Sequence, residues 1–214
     1  MRLRNEVQIT AGLAPQRRAV FLDRDGVLNR NVFYADTGAW ESPRTPAEFA
    51  LCPDVLPALA RLSGAGFLLF VVSNQPNEAK GKSRPGTLAS MHRKLVALLA
   101  SAGLELADAF YCTHHPDFPQ AGVAPGRDGG CVCRKPEPYF LLEAARAHNL
   151  ALRECWMIGD RATDMACGRA AGVRTAWVDT RQERIAPDPA QVDVGSMGLA
   201  DAVQQILSAV RERV

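Results

Sequence analysis

Hydrophobic positions along this chain follow two patterns in turn. Short continuous apolar runs stand at 19–22, 67–72, 109–112, 156–158 and 175–178. They are too short for helices and rich in branched or aromatic side chains, which predicts strands buried on both faces. Between them, apolar residues recur every three or four positions. Val55, Leu56, Leu59 and Leu62 form one such helical stripe, closed by Gly64 and Gly66. Leu88, Met91, Leu95, Leu98 and Leu99 form a second, with Pro85 near its start. Leu141, Leu142 and Ala145 follow Pro136 and Pro138 as the buried face of a third. Leu199, Val203, Ile206, Leu207 and Val210 make a closing helix, another helix begins near Asp164, and a short edge strand is expected at 192–194. Residues 29–53, with Gly38, Pro43, Pro46 and Pro53, fit neither pattern and predict a long loop.

Strands alternating with helices predict an α/β fold, a Rossmann-like, doubly wound parallel sheet. Ligands of such sheets bind at the carboxyl ends of the strands. Residues 1–17 lack periodicity and read as an arm, leaving 18–214 as a single domain. The 214 residues are 47% hydrophobic, ordinary for a globular protein, and 25 basic against 23 acidic side chains give a net charge of +2. That balance argues against nucleic acid or an anionic membrane as partner. No apolar h-region opens the chain and no apolar run reaches the length of a membrane span, so a cytoplasmic location is expected. Six cysteines in a reducing compartment suggest metal before disulfides where they cluster.

The first strand stops at Asp23 and Asp25, and Gly26 then lets the chain turn. Residues i and i+2 of an extended chain point the same way, so both carboxylates can face one substrate. A solvated acidic turn is the bland alternative. A calcium loop is excluded, because its sixth and twelfth positions would be Leu28 and Tyr34. The second strand ends in Ser73, Asn74 and Gln75, where the hydroxyl suits a phosphate contact or a strand-end cap. A nucleotide P-loop ending at Gly81-Lys82-Ser83 would need glycine where Pro76 stands. Lys135 precedes a helix, and Asp160 and Asp164 follow the fourth strand.

Acid, hydroxyl, lysine and acid, in this order and these contexts, resemble the signatures of the haloacid dehalogenase (HAD) superfamily of phosphohydrolases over about residues 18–180. The resemblance implies that Asp23 is a nucleophile forming an aspartyl-phosphate, with Asp25 as acid and then base. It implies a catalytic Mg²⁺ held by Asp23, Asp160 and the backbone carbonyl of Asp25, with Asp164 supporting from behind or serving only as a helix N-terminal acid. The need for cations is physical. A carboxylate approaching a phosphate meets a repulsion of about 4 kcal/mol per pair of unit charges at ~4 Å and an effective dielectric of 20. Lys135 adds one positive charge. No segment is long enough for a separate cap domain.

Cys112-x-His114, then sixteen residues, then Cys131-x-Cys133 supply three thiolates and an imidazole. That is a closed tetrahedral zinc set, structural rather than catalytic, with free thiols as the alternative and His115 as the competing histidine. The linking loop carries Pro116, Pro119, Pro125, Gly129 and Gly130 and has little to pack. Cys52, Cys155 and Cys167 read as core residues. The Cys/His set followed by Arg134-Lys135-Pro136 resembles the zinc-bearing HAD group that holds the heptose 1,7-bisphosphate and histidinol-phosphate phosphatases. By that match Asn74 and Arg134 become substrate contacts, and Arg134 with Lys80 would hold a second phosphate. The expected substrate is a small phosphorylated metabolite, a heptose bisphosphate losing its anomeric phosphate, on a monomeric enzyme. Histidinol phosphate, a non-catalytic zinc-stabilised binding module and a nucleic-acid-end phosphatase are the alternatives. Three departures from the group fall near the substrate entrance: Val27 for a common Thr, Pro76-Asn77-Glu78 in place of Ser-Gly-Ile, and the longer 29–53 loop with Trp40. Glu78 is expected to threaten the second phosphate.

Overall fold

The computed structural model describes residues 16–117, 131–182 and 185–211. At its centre lies β1 (Ala19–Leu22), all four residues of which are buried. β4 (Leu68–Asn74) and β6 (Trp156–Gly159) pair with it in parallel on either side. β5 (Asp108–Cys112) extends the sheet beyond β4, and β7 (Arg174–Val178) and β8 (Val194–Ser196) extend it beyond β6. The six strands run in the order β5-β4-β1-β6-β7-β8. This is the doubly wound parallel sheet expected, and the order reverses at β1, the kind of switch point where such sheets bind ligands.

Period-two alternation sends neighbouring side chains to opposite layers. Val20, Leu22, Leu69, Val71, Trp156 and Ile158 pack against the layer of α1 (Val55–Gly64), α2 (Thr87–Ala100) and α5 (Leu199–Arg211). Ala19, Phe21, Phe70, Val72 and Met157 pack against α3 (Tyr139–His148) and α4 (Ala162–Ala171), with the rings of Phe21 and Phe70 5.3 Å apart. Because both faces are covered, the strands carry continuous apolar runs, which is why they were readable as strands. Cys155 and Cys167 are core residues as expected, and Cys52 is only partly buried.

Several expectations are corrected. The 29–53 segment is not irregular throughout: it contains an antiparallel hairpin of β2 (Val32–Tyr34) and β3 (Ala39–Glu41). Its strands are three residues long and half exposed, too short to impose a period on the sequence. β4 runs on through Ser73 and Asn74, and the edge strand lies at 194–196 rather than 192–194. Leu142 is exposed, because the buried face of α3 is carried by Leu141 and Ala144. Arg17 belongs to the fold, exchanging backbone hydrogen bonds with Asn149 and Ala151; residues 1–15 of the expected arm lie outside the described residues. Among the described residues no helix is long and apolar enough to cross a membrane. The insertions after β1 and β5 amount to a hairpin and a loop among those residues, with no separate cap domain.

α4 reaches the sheet through Gly168. A methyl group there would lie 2.7 Å from the Thr175 methyl and 2.9 Å from Met157 Cβ. Gly168→Ala should therefore overpack this layer, at a cost of about 1–3 kcal/mol. Thermal unfolding followed by circular dichroism should show a Tm lower by roughly 2–10 °C. An unchanged Tm would mean that α4 can shift freely on the sheet.

Candidate active site

The carboxyl ends of β1, β4 and β6 deliver Asp23, Ser73 and Asp160 to one edge, all at least nine-tenths buried. The Asp23 N–H donates to the Ile158 carbonyl, so β1 still pairs with β6 as it enters the site. Lys135 arrives from the loop before α3. Its ammonium donates to Asp23 Oδ1 at 2.9 Å and to the Val72 carbonyl at 2.7 Å, and it pairs with Asp164 Oδ1 at 2.5 Å. Burial works against the Lys135 charge, but Asp164 and Asp23 outweigh it and hold the amine above its ordinary value. Asn74 uses both ends of its amide on Lys135, accepting from its N–H at 3.0 Å and donating to its carbonyl at 3.1 Å. It lines the cleft, yet its direct task is to fix the lysine loop.

Two glycines make room for the acids. Gly26 has φ +86°, and a Cβ on it would lie 2.1 Å from Asp160 Oδ2. A Cβ on Gly159 would lie 2.2 Å from Asp164. Asp164 in turn accepts from the Arg161 N–H at 3.0 Å, capping α4.

Charge in this pocket is unbalanced. Carboxylate oxygens of Asp23, Asp160 and Asp164 lie within 4.8 Å of one another around one buried lysine. Asp160 Oδ1 is buried without a hydrogen-bond partner. Burial, then the charges of Asp23 and Asp164, push the Asp160 carboxyl well above the usual range, and burial raises Asp164 to about 6. A divalent cation fits this donor set. It would satisfy the bare oxygen and relieve the repulsion that disfavours ionisation.

Asp25 is placed differently from its neighbour. Its carboxylate accepts from Arg24 Nη2 at 2.9 Å and from Asn29 Nδ2 at 2.9 Å, and also from Gln75 Nε2. Burial alone would raise its pKa, but the Arg24 charge and these donors bring it below the ordinary value. Arg24, Asn29 and Gln75 went unnoticed in the sequence. An arginine between two aspartates and a glutamine after the β4 hydroxyl are too common in loops to stand out.

The four soft ligands also converge. Cys112 Sγ lies 3.3 Å from Cys131 Sγ, Cys131 Sγ lies 3.4 Å from Cys133 Sγ, and His114 Nδ1 is 3.3 and 3.9 Å from Cys133 and Cys112. Sulfurs on a tetrahedral zinc with bonds of about 2.3 Å would be ~3.8 Å apart, so little adjustment is needed. A hydrogen bond from Cys133 brings Cys112 down to about 5, while Cys133 itself is pushed far up by the same contact. His115 instead sits 3.7 Å from Asp117. Residues 118–130, including Pro119, Pro125, Gly129 and Gly130, lie outside the described residues.

Above the acids opens a cleft of about 670 Å³. Lys80 and Arg134 line it, and Arg134 Nη1 also donates to the His114 carbonyl at 3.1 Å. Burial, then the positive charges of Lys82 and Arg134, push the Lys80 amine down. Trp40 and Glu41 of the hairpin also line the cleft. Glu41 receives Lys82 Nζ on both oxygens at 2.7 Å and Arg44 at 3.1 Å, latching the hairpin to the loop after β4. Burial raises the Glu41 carboxyl, but these two cations outweigh it and bring it to about 2. Of the departing triplet, Pro76 and Asn77 line the cleft while Glu78 turns away. Glu78 accepts from the Leu88 N–H at 2.8 Å and the Gly86 N–H at 3.3 Å, capping α2, so the expected threat to a second phosphate does not arise.

A family model described as HAD-hydrolase-like matches residues 132–194. The D-glycero-β-D-manno-heptose-1,7-bisphosphate 7-phosphatase of Mesorhizobium japonicum is 32% identical over 81% of this chain and 74% of its own. The D-glycero-D-manno-heptose-1,7-bisphosphate 7-phosphatase of Thermosynechococcus vestitus is 34% identical over 92% of this chain and 99% of its own. Among solved structures, the D,D-heptose 1,7-bisphosphate phosphatase of B. bronchiseptica, complexed with magnesium and phosphate, superimposes with a TM-score of 0.71. It is 27% identical, covering 91% of this chain and 99% of that one. The names of these relatives specify the 7-phosphate, whereas the expectation from sequence was loss of the anomeric phosphate. Family model, relatives and fold agree with the aspartates, serine and lysine at the sheet edge: the chain is a phosphoric monoester hydrolase and belongs to the HAD-like phosphatases, in the family whose curated members carry the heptose-1,7-bisphosphate 7-phosphatase name.

Proposed function

We propose that the protein removes the 7-phosphate of a heptose 1,7-bisphosphate through an aspartyl-phosphate on Asp23. The observation that carries this reading is the division of one cleft into two cationic levels. Lys135 sits at its floor beside Asp23, and Arg134 and Lys80 line it farther out. A monophosphate needs only the floor. A bisphosphate needs both, and an Arg fork suits a phosphate dianion.

In this reading the Asp23 carboxylate attacks phosphorus as the bond to the sugar oxygen breaks. The negative charge of the arriving phosphate offsets the pull of Arg24 and favours the protonated form of Asp25, which then gives its proton to that oxygen, a poor leaving group as a bare alkoxide. Asp25 then takes a proton from water, whose oxygen attacks the phosphoryl group, freeing phosphate and restoring Asp23. Ser73 donates its hydroxyl proton to a phosphoryl oxygen, Lys135 offsets charge, and Asn74 acts through the Lys135 backbone. Asp23, Asp160 and the Asp25 carbonyl would hold Mg²⁺, which supplies positive charge to the phosphoryl oxygens. Asp164 steers Lys135. Cys112, His114, Cys131 and Cys133 would hold a structural Zn²⁺ that pins the loop carrying Arg134 and Lys135.

A substrate panel tests the reading. The heptose bisphosphate should show a higher kcat/KM than heptose 7-phosphate, histidinol phosphate or hexose monophosphates. Arg134→Ala should lower the bisphosphate value by about 10- to 100-fold, the worth of one charge-assisted hydrogen bond of about 1.5–3 kcal/mol. Equal values for mono- and bisphosphates, or a preference for histidinol phosphate, would contradict the substrate assignment.

The zinc site makes its own prediction. Metal analysis of purified protein should find about one zinc per chain, as a closed four-ligand set requires. Cys131→Ser should lower Tm, and a strong chelator should do the same to the wild type. Zinc-free protein whose Tm ignores chelators would contradict it.

A further inference from the structure

Arg24 is the largest charged side chain among the described residues with no exposed surface at all. It lies between the two aspartates in sequence but, unlike Asp25, does not line the cleft, and its guanidinium is 5.7 Å from the centre of the buried Phe49 ring. Its Nη1 has no hydrogen-bond partner. A buried cation with an unsatisfied donor works against folding, so packing does not account for it.

Its remaining contacts do. Nε and Nη2 donate to Asp25 Oδ1 at 3.2 and 2.9 Å, and Nη2 reaches Asp25 Oδ2 at 3.1 Å. The same Nη2 donates to Gln75 Oε1 at 2.8 Å. Arginine has only donors, so the Gln75 amide must turn its oxygen toward Arg24 and its nitrogen away. That nitrogen then donates to Asp25 Oδ2 and, at 2.9 Å, to Ser73 Oγ. Ser73 is thereby fixed as an acceptor on its Gln75 side, which leaves its own proton to point into the cleft. One guanidinium thus sets an acid–base carboxylate and, through one amide, the direction of a phosphate-binding hydroxyl.

We propose that Arg24 is a positioning residue that acts through Gln75 to aim Asp25 at the leaving oxygen and the Ser73 proton at the phosphoryl group. The inference rests on the acid–base role of Asp25 given above. Loss of the aim should harm proton transfer more than phosphoryl attack. A nitrophenolate leaves without a proton, whereas an alkoxide does not.

The test compares kcat/KM for p-nitrophenyl phosphate and for a sugar phosphate in Arg24→Met, Gln75→Leu and, as benchmark, Asp25→Asn, each checked for folding by circular dichroism and melting. In Arg24→Met and Gln75→Leu the sugar phosphate value should fall by about 100-fold or more, the scale of general acid catalysis. The aryl ester should fall at least ten times less. If Arg24→Met does not fold, Gln75→Leu carries the comparison, since it keeps the Arg24–Asp25 pair. Equal losses on both esters, or none, in variants that fold while Asp25→Asn discriminates, overturn the positioning role alone. Failure of Asp25→Asn itself to discriminate overturns the acid–base reading beneath it.

Discussion

Three carboxylates buried around one lysine are the constraint on which this molecule depends. Asp23, Asp160 and Asp164 approach within 4.8 Å, and the buried cation Lys135 touches two of them. Such a cluster repels itself, and burial sharpens the repulsion by removing water. Only a rigid frame holds it. The frame is the central strand β1, paired on both sides, with glycines at 26 and 159 where any side chain would strike an aspartate. What is costly for folding is useful for chemistry: a site short of positive charge is ready to take a divalent cation and a phosphate together.

The entrance follows a different logic. With no cap domain among the described residues, the cleft walls come from the β2–β3 hairpin, the loop after β4 and the loop that carries Arg134. Each is tied down from outside the cleft. Glu41 latches the hairpin to Lys82, Glu78 caps α2, and the Cys/His cluster anchors the segment leading to Lys135. Recognition can then vary along these walls while the floor stays fixed. That separation explains how Pro76, Asn77 and Trp40 depart from the common family pattern without disturbing Asp23 or Lys135.

The sheet was legible because burial on both faces writes continuous apolar runs into the sequence, and three of those runs ended at a candidate side chain of the site. Asp23, Ser73 and Asp160 stood out as candidates at such strand ends, and with Lys135 they were singled out as a set by the resemblance to the HAD signatures. The cluster of Cys112, His114, Cys131 and Cys133 was visible from spacing. The hairpin was not, since three-residue strands leave no periodic trace. Nor was the network of Arg24, Asn29 and Gln75, because a side chain that orients another has no motif of its own. The fate of Glu78 needed the structure as well: a charge near the cleft in sequence turned out to cap a helix.

The charge imbalance at the floor is tested most directly by thermal unfolding of metal-free protein with and without Mg²⁺, wild type against Asp160→Asn. The account predicts that Mg²⁺ stabilises the wild type, by about 2.7 kcal/mol at a hundredfold excess over Kd. It predicts that Asp160→Asn, which takes one member out of a self-repelling cluster of buried carboxyls, melts no lower than the metal-free wild type and responds little to Mg²⁺. A variant that melts well below the metal-free wild type, or that gains as much from Mg²⁺ as the wild type does, would contradict it.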